Sequence, residues 1–258
     1  MSKHSHIVER LVNAANHVKA TTPFTSDNPD ITSDEAYDVQ DLVVAARVAS
    51  GHKVVGAKLG LTSVAKQRQM NVENPLYGWL TSDMQIDTGA SLVCSSLIQP
   101  RCEPEVAFLL SRDLEGAHIT AAHVLAATEA VFPSIDVLDS RFAGYKFTHT
   151  DVVADNCSSG GFVLAGAPID PRGIDLRLIG ITFEKNGQLL HTAAGAAVLG
   201  HPAASVAWLV RALAMRGQGL AAGHIIMSGA LTEAVAVAPG DTVVARFDRL
   251  GTVELACV

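Results

Sequence analysis

Several things are missing from this chain, and each absence removes a class of function. Basic residues are few, 19 against 26 acidic ones, giving a net charge of −7, and they form no cluster. Neither a nucleic-acid backbone nor an anionic bilayer is therefore an expected partner. No apolar run approaches the length of a membrane span, and the N-terminus, MSKHSHIVERL, lacks a signal-peptide core. The four cysteines, Cys94, Cys102, Cys157 and Cys257, have no metal-type spacing and are too sparse for a disulfide scaffold. The expectation is a soluble protein in the reducing cytoplasm. GxSxG, GxGxxG and P-loop motifs are absent, and the ten histidines show no triad pattern. Serine hydrolysis and dinucleotide binding are thereby set aside.

What remains is a chain of 258 residues, 48% hydrophobic and 17% charged, with no internal repeat and no linker. This predicts a single domain spanning 1–258, with a small helical part over 1–52. Residues 5–20 carry Ile7, Leu11, Val12, Ala15 and Val18 on one helical face. Thr32 and Glu35 make a capping box for a second helix ending near Gly51. VVGAKLGLTS reads as a glycine-broken strand leading into a short helix capped by Thr62 or Ser63, and NPLYGWLTSDM as a surface loop. Strands follow at SLVCSSLI, PEVAFLLS, SIDVLDS and GGFVLAG, with a helix over 120–131. Asn186-Gly187 between two extended runs predicts a hairpin. A helix over 204–217 and three strands in HIIMSGAL, DTVVARF and GTVELACV complete the pattern. Helices first, then many strands with few helices between them, indicate an α+β fold with a mostly β core.

The chemistry is carried by acidic residues in apolar settings. Glu103 and Glu105 stand two apart in a strand and project together. Such a pair usually faces solvent, but this strand is otherwise apolar, and Asp136 lies in another apolar run. Carboxylates among Val, Leu and Ile need a counter-charge, and three of them suit Mg²⁺ or Mn²⁺ better than Zn²⁺. Lys58, between Gly56 and Gly60, is either a snorkelling surface residue or a buried cation facing an anion. The polar run from Asp155 to Gly161 is either a plain turn or a donor of hydrogen bonds to an anion. Cys157 lacks a neighbouring histidine to activate it.

Several long stretches then match one family in order: GAKLGLTSVAKQRQMNVENPLYGWL, QPRCEPEVAF, ATEAVFPSIDVLDSR, VVADNCSSGGFVLAG, EKNGQLLHTAAGAAVLGHPAASVAWL and IIMSGALTEAVAVAPGD. From about residue 5 onward the chain resembles the 2-keto-4-pentenoate hydratase / 4-oxalocrotonate decarboxylase family of the fumarylacetoacetase superfamily. The resemblance implies a mixed β-roll and a Mg²⁺ or Mn²⁺ ion held by Glu103, Glu105 and Asp136. Aspartate at 136 departs from the family's usual glutamate. It implies catalytic duty for Lys58 and Asp155, and substrate contacts from Leu59, Lys146, Ser158 and Ser159. The implied substrate is a small 2-oxo acid from aromatic meta-cleavage. QMNVENPLYGWL, RFAGYKF and MSGALTEAVAVAPGD resemble the decarboxylase branch, GGFVLAG the hydratase branch. Decarboxylation of 2-oxo-3-hexenedioate is thus expected. Hydration of 2-hydroxypenta-2,4-dienoate, or of a longer dicarboxylic dienoate, is the alternative, and a non-catalytic partner-binding subunit stands behind both. A homo-oligomer is expected, as is association of this chain with the partner hydratase or decarboxylase.

Overall fold

The computed structural model describes residues 4–63, 67–68 and 74–258. Helices α1 (Ser5–Asn16) and α2 (Ser33–Ala49) come first. They lead into strands β1 (Val54–Gly60), β2 (Leu76–Thr81), β3 (Gln85–Ile86) and β4 (Arg101–Leu110). Helix α3 (Ala121–Ala127) runs directly into β5 (Thr128–Leu138), and α4 (His149–Ala154) precedes β6 (Ser159–Leu164). The hairpin β7 (Gly180–Lys185) and β8 (Gln188–Ala194) is followed by α5 (Pro202–Met215). Strands β9 (Ile225–Met227), β10 (Val235–Ala236), β11 (Thr242–Phe247) and β12 (Gly251–Ala256) end the chain.

The larger sheet runs β2-β1-β9-β4-β5-β6-β3, with β10 on β4, and the smaller runs β12-β11-β7-β8. Alternation along β4 and β5 divides the interior. Cys102, Val106 and Phe108 on β4, with Val131, Ile135 and Val137 on β5, face a core shared with Phe183, Val243, Ala245, Val253 and Leu255 of the smaller sheet. The opposite face, carrying residues 103, 105 and 107, is left for a small apolar cluster of Ala107, Phe162 and Met227 and for the charged groups beside it. A separate core of Ile7, Leu11, Phe24, Val39, Phe142 and Val153 ties the N-terminal helices to α4. Gln40 links them further, donating to Tyr77 O at 2.9 Å and Val153 O at 2.7 Å.

Local signals explain many of these elements. The Thr32–Glu35 capping box forms as expected at the start of α2, and Asn186 and Gly187 take positive φ at the β7–β8 turn. Other expectations change. NPLYGWL is no surface loop: Leu76–Thr81 is a strand buried at every position. Its glycine serves close approach, since a Cβ on Gly78 would lie 2.5 Å from Asn156 O. SLVCSSLI makes only an isolated bridge at Leu92 and a 3₁₀ turn over Cys94–Ser96, because it pairs with the chain end alone. The helix expected over 120–131 stops at Ala127, where Thr128 begins to pair with Leu110. The short helix expected after Thr62 or Ser63 falls largely outside the described residues. Gly195–Met215 is apolar and long enough to cross a membrane, contrary to expectation, but half of it is buried inside the protein. Val206, Leu209, Val210 and Leu213 are core residues there.

Gly56 sits where β1 pairs in parallel with β9, and a Cβ there would lie 1.8 Å from Ile225 O. Gly56→Ala is expected to lower unfolding free energy by at least about 2 kcal/mol in urea titration, by displacing that pairing. Gly180→Ala, with open space at its Cβ position, is expected to change it by less than about 0.5 kcal/mol.

Candidate metal centre

Pairing of β4 with β5 sets Glu103 directly opposite Asp136 and Glu105 opposite Ser134. Directly opposed residues share a face, as do positions two apart. Glu103, Glu105 and Asp136 therefore converge, each offering a carboxylate oxygen within 4.8 Å of the others. All three are buried. Gly229 N–H donates to Glu105 Oε2 at 2.6 Å, and Lys58 Nζ, itself fully buried, donates to Asp136 Oδ2. Glu105 Oε1 and Asp136 Oδ1 have no hydrogen-bond partner among the described residues.

Those two bare oxygens test whether a cation fits. An unsatisfied buried acceptor costs about 1–3 kcal/mol, and more when charged. A divalent ion between the carboxylates would remove that cost and much of their mutual repulsion. The donor set contains only oxygen, which suits Mg²⁺ or Mn²⁺. The aspartate at 136, although shorter than glutamate, reaches the cluster.

The electrostatics follow from crowding. Burial, then the neighbouring Asp136 and Glu103, push the Glu105 carboxyl well above its ordinary range, against the pull of Lys58 and Gly229 N–H. Burial also raises Asp136 despite the Lys58 ammonium beside it. For Lys58, burial disfavours the charge, but Asp136 and the two glutamates outweigh it and hold the amine protonated, above the usual lysine value.

Lys58 and Glu103 line a cavity of about 510 Å³, whose walls include Arg101, Tyr145, Phe147, Ser158 and the 230–234 segment. Of the remaining expected site residues, Ser158 alone lies on this wall. Asp155 is behind it, ion-paired with Arg141 and accepting from Ser158 Oγ at 3.3 Å. Burial raises its carboxyl to about 6 even against Arg141. Leu59 points into the main core. Ser159 Oγ donates to Asn156 O at 2.6 Å, and Lys146 is exposed off the cavity. The turn that presents Ser158 is unusual: Asn156, Cys157 and Ser158 all have φ between 51° and 55°, a region side chains seldom occupy. Asn156 secures it, accepting from Trp79 N–H at 2.7 Å and donating to Trp79 O at 2.8 Å.

Sequence reasoning passed over Arg101 and Tyr145. The alternation that paired Glu103 with Glu105 also puts Arg101 on their face, so the signal was there. Tyr145 carried no periodic signal and figured only within the RFAGYKF stretch, because an irregular segment brings it to the cavity.

The curled mixed sheet and its buried acidic cluster define a class. Residues 42–258 match the model of the fumarylacetoacetate (FAA) hydrolase C-terminal family, and the chain belongs to that family. The 4-oxalocrotonate decarboxylase of Pseudomonas sp. (strain CF600) is 44% identical over 248 residues, covering 96% of this chain and 94% of the relative. The 2-keto-4-pentenoate hydratase of Paraburkholderia xenovorans (strain LB400) is 40% identical over 246 residues, covering 95% and 91%. A solved 4-oxalocrotonate decarboxylase from Pseudomonas putida G7, complexed with magnesium and adipate, superposes with a TM-score of 0.92 at 40% identity, covering 97% of this chain and 98% of that one.

Burial and its acidic neighbours raise the Glu105 carboxyl, so an arriving cation is expected to compete with protons there. Magnesium titrated by calorimetry in two buffers of different ionisation heat is expected to show net proton release. Affinity should rise with pH, by up to about tenfold per unit, until the raised pKa is passed. Identical heats in the two buffers with pH-independent affinity would contradict the coupling.

Proposed function

We propose that this enzyme decarboxylates 2-oxo-3-hexenedioate to 2-hydroxypenta-2,4-dienoate and CO₂ in the breakdown of aromatic compounds. The observation that carries the reading is the buried Glu103–Glu105–Asp136 cluster, whose member Glu103 lines a cavity together with Lys58. Near-full-length similarity to 4-oxalocrotonate decarboxylases supports it. A divalent ion held by the three carboxylates would supply Lewis acidity to the substrate's C1 carboxylate and 2-oxo oxygen.

The chain's own groups have definite parts in this scheme. When the C5–C6 bond breaks, C6 leaves as CO₂ and its electron pair moves through the conjugated system to the 2-oxo oxygen. Negative charge therefore grows at the metal end. Lys58 is a fixed, desolvated cation there, which favours that charge without reorganisation, and its ammonium is a proton source on the cavity wall. Ser158, held by Asp155 and Arg141, offers a hydroxyl on the same wall. Asp155 acts in this reading by positioning Ser158, and Leu59 by packing the strand that carries Lys58. Phe147, Leu138 and Leu231 give the cavity an apolar wall for the hydrocarbon part of the substrate.

A hydratase acting on 2-hydroxypenta-2,4-dienoate is the second reading, supported by similarity to 2-keto-4-pentenoate hydratases. We place the enzyme in the cytoplasm, in keeping with four buried free cysteines. Assembly as a homo-oligomer, with or without the partner lyase, belongs to the same reading. Exposed Leu178 and Leu189 are apolar surface of the sort such contacts cover.

A side-by-side assay of the two substrates decides between them. CO₂ release from 2-oxo-3-hexenedioate is expected with Mg²⁺ or Mn²⁺ and is expected to vanish with EDTA. Loss of diene absorbance from 2-hydroxypenta-2,4-dienoate without CO₂ would select the hydratase instead. Lys58→Met is expected to lower kcat by about 100-fold or more, the scale of losing one preorganised electrostatic contact.

A further inference from the structure

Arg101 is a cation on the cavity wall that the metal centre does not use. It stands two residues before Glu103 on β4, and both side chains line the cavity, whereas Cys102 between them faces the main core. Among the described residues its donors meet no ion-pair or hydrogen-bond partner. Lys58 and Arg141, by contrast, are each paired with an aspartate. What holds Arg101 is the Tyr145 ring, whose centroid lies 4.0 Å from the guanidinium carbon. That ring is fixed in turn by the Tyr145 hydroxyl, which donates to Gln99 O at 3.1 Å. Stacking occupies the face of a guanidinium and leaves its edge free, and the edge is the part that forks a carboxylate.

We infer that Arg101, backed by Tyr145, holds the distal carboxylate of a dicarboxylic 2-oxo acid, so that the site selects substrates charged at both ends. The inference rests on the reading above, in which the 2-oxo acid end is held at the acidic cluster. Spacing supports it: strand positions two apart are separated by about 7 Å, close to the span of an extended six-carbon dicarboxylate. Charge supports it as well. Glu233, on the same wall, repels a carboxylate, and Lys146, expected from sequence to contact substrate, is exposed away from the cavity. A monoanionic dienoate would leave Arg101 without a partner in a wall otherwise rich in Leu138, Phe147 and Leu231. Turnover would also undo the contact, because the carboxylate that Arg101 grips departs as neutral CO₂.

Two compounds that differ only at the distal end test this: 2-oxoadipate and 2-oxohexanoate, each titrated calorimetrically into the magnesium-loaded protein. Wild type is expected to bind 2-oxoadipate about 10- to 100-fold more tightly, the scale of a charge-assisted hydrogen-bonded pair. In Arg101→Met that preference should disappear while 2-oxohexanoate affinity stays within about twofold of wild type. Arg101→Lys, which keeps the charge but not the fork, should recover part of it. Tight binding of both compounds by wild type with equal affinity would overturn the assignment and leave the 2-oxo-acid reading standing. So would a parallel loss of both in Arg101→Met, with wild type showing no preference. Binding of neither compound to wild type at saturating magnesium would refute the 2-oxo-acid reading and this inference with it.

Discussion

The structure depends on a buried meeting of charges: the carboxylates of Glu103, Glu105 and Asp136 from β4 and β5 gather beside the Lys58 ammonium of β1, which pairs with Asp136. Within the sheet β1 lies three strands from β5, with β9 and β4 between them. At a spacing of about 4.8 Å, a flat sheet would put those strands about 14 Å apart. No lysine side chain spans that distance to meet an aspartate. The ion pair between Lys58 and Asp136 therefore exists only because the sheet curls until β1 and β5 face one another across its hollow. Curl and charge pairing are one constraint seen from two sides. The carboxylate oxygens left bare by that arrangement then define what the hollow can hold.

The curl demands close contacts along β1 and β2, and small residues meet that demand. A Cβ on Gly60 would lie 2.8 Å from Cys157 Sγ, and one on Gly78 still nearer Asn156 O. Both contacts involve the turn of positive φ that carries Ser158. Strain in the turn is thus held by the strand it touches, through the paired hydrogen bonds between Asn156 and Trp79. The same contacts bring the N-terminal helices into the main body, since Tyr37 of α2 stacks on Tyr77 of β2 at 4.4 Å. The helical part and the barrel-like sheet are consequently coupled near the site rather than simply adjacent.

Much of this was legible in the chain before any coordinates. Capping at Thr32, the Asn186-Gly187 turn and the alternation of β4 are local features, decided by residues within a few positions of each other. Glu103 and Glu105 belonged to that class. Misreadings arose where a local signal had a distant cause. NPLYGWL carries Pro and Gly and so looks like a loop, yet its glycine exists for a backbone more than 70 residues away in sequence. SLVCSSLI has strand composition but finds only the chain terminus to pair with.

By itself, then, the sequence determined most helices and strands, though not the helix at His149–Ala154, and the acidic, all-oxygen character of the candidate site. Those follow from residue type, spacing and side-chain period, which act over short range. Tertiary structure alone decided that Asp136 stands opposite Glu103, that Lys58 is an ion-paired cation and not a snorkelling one, and that Asp155 is locked to Arg141 behind the cavity wall. It also decided that Arg101, not Lys146, lines the cavity. Each of these is a meeting of groups brought together by strand register and sheet curvature, and neither quantity is encoded in any single stretch of chain.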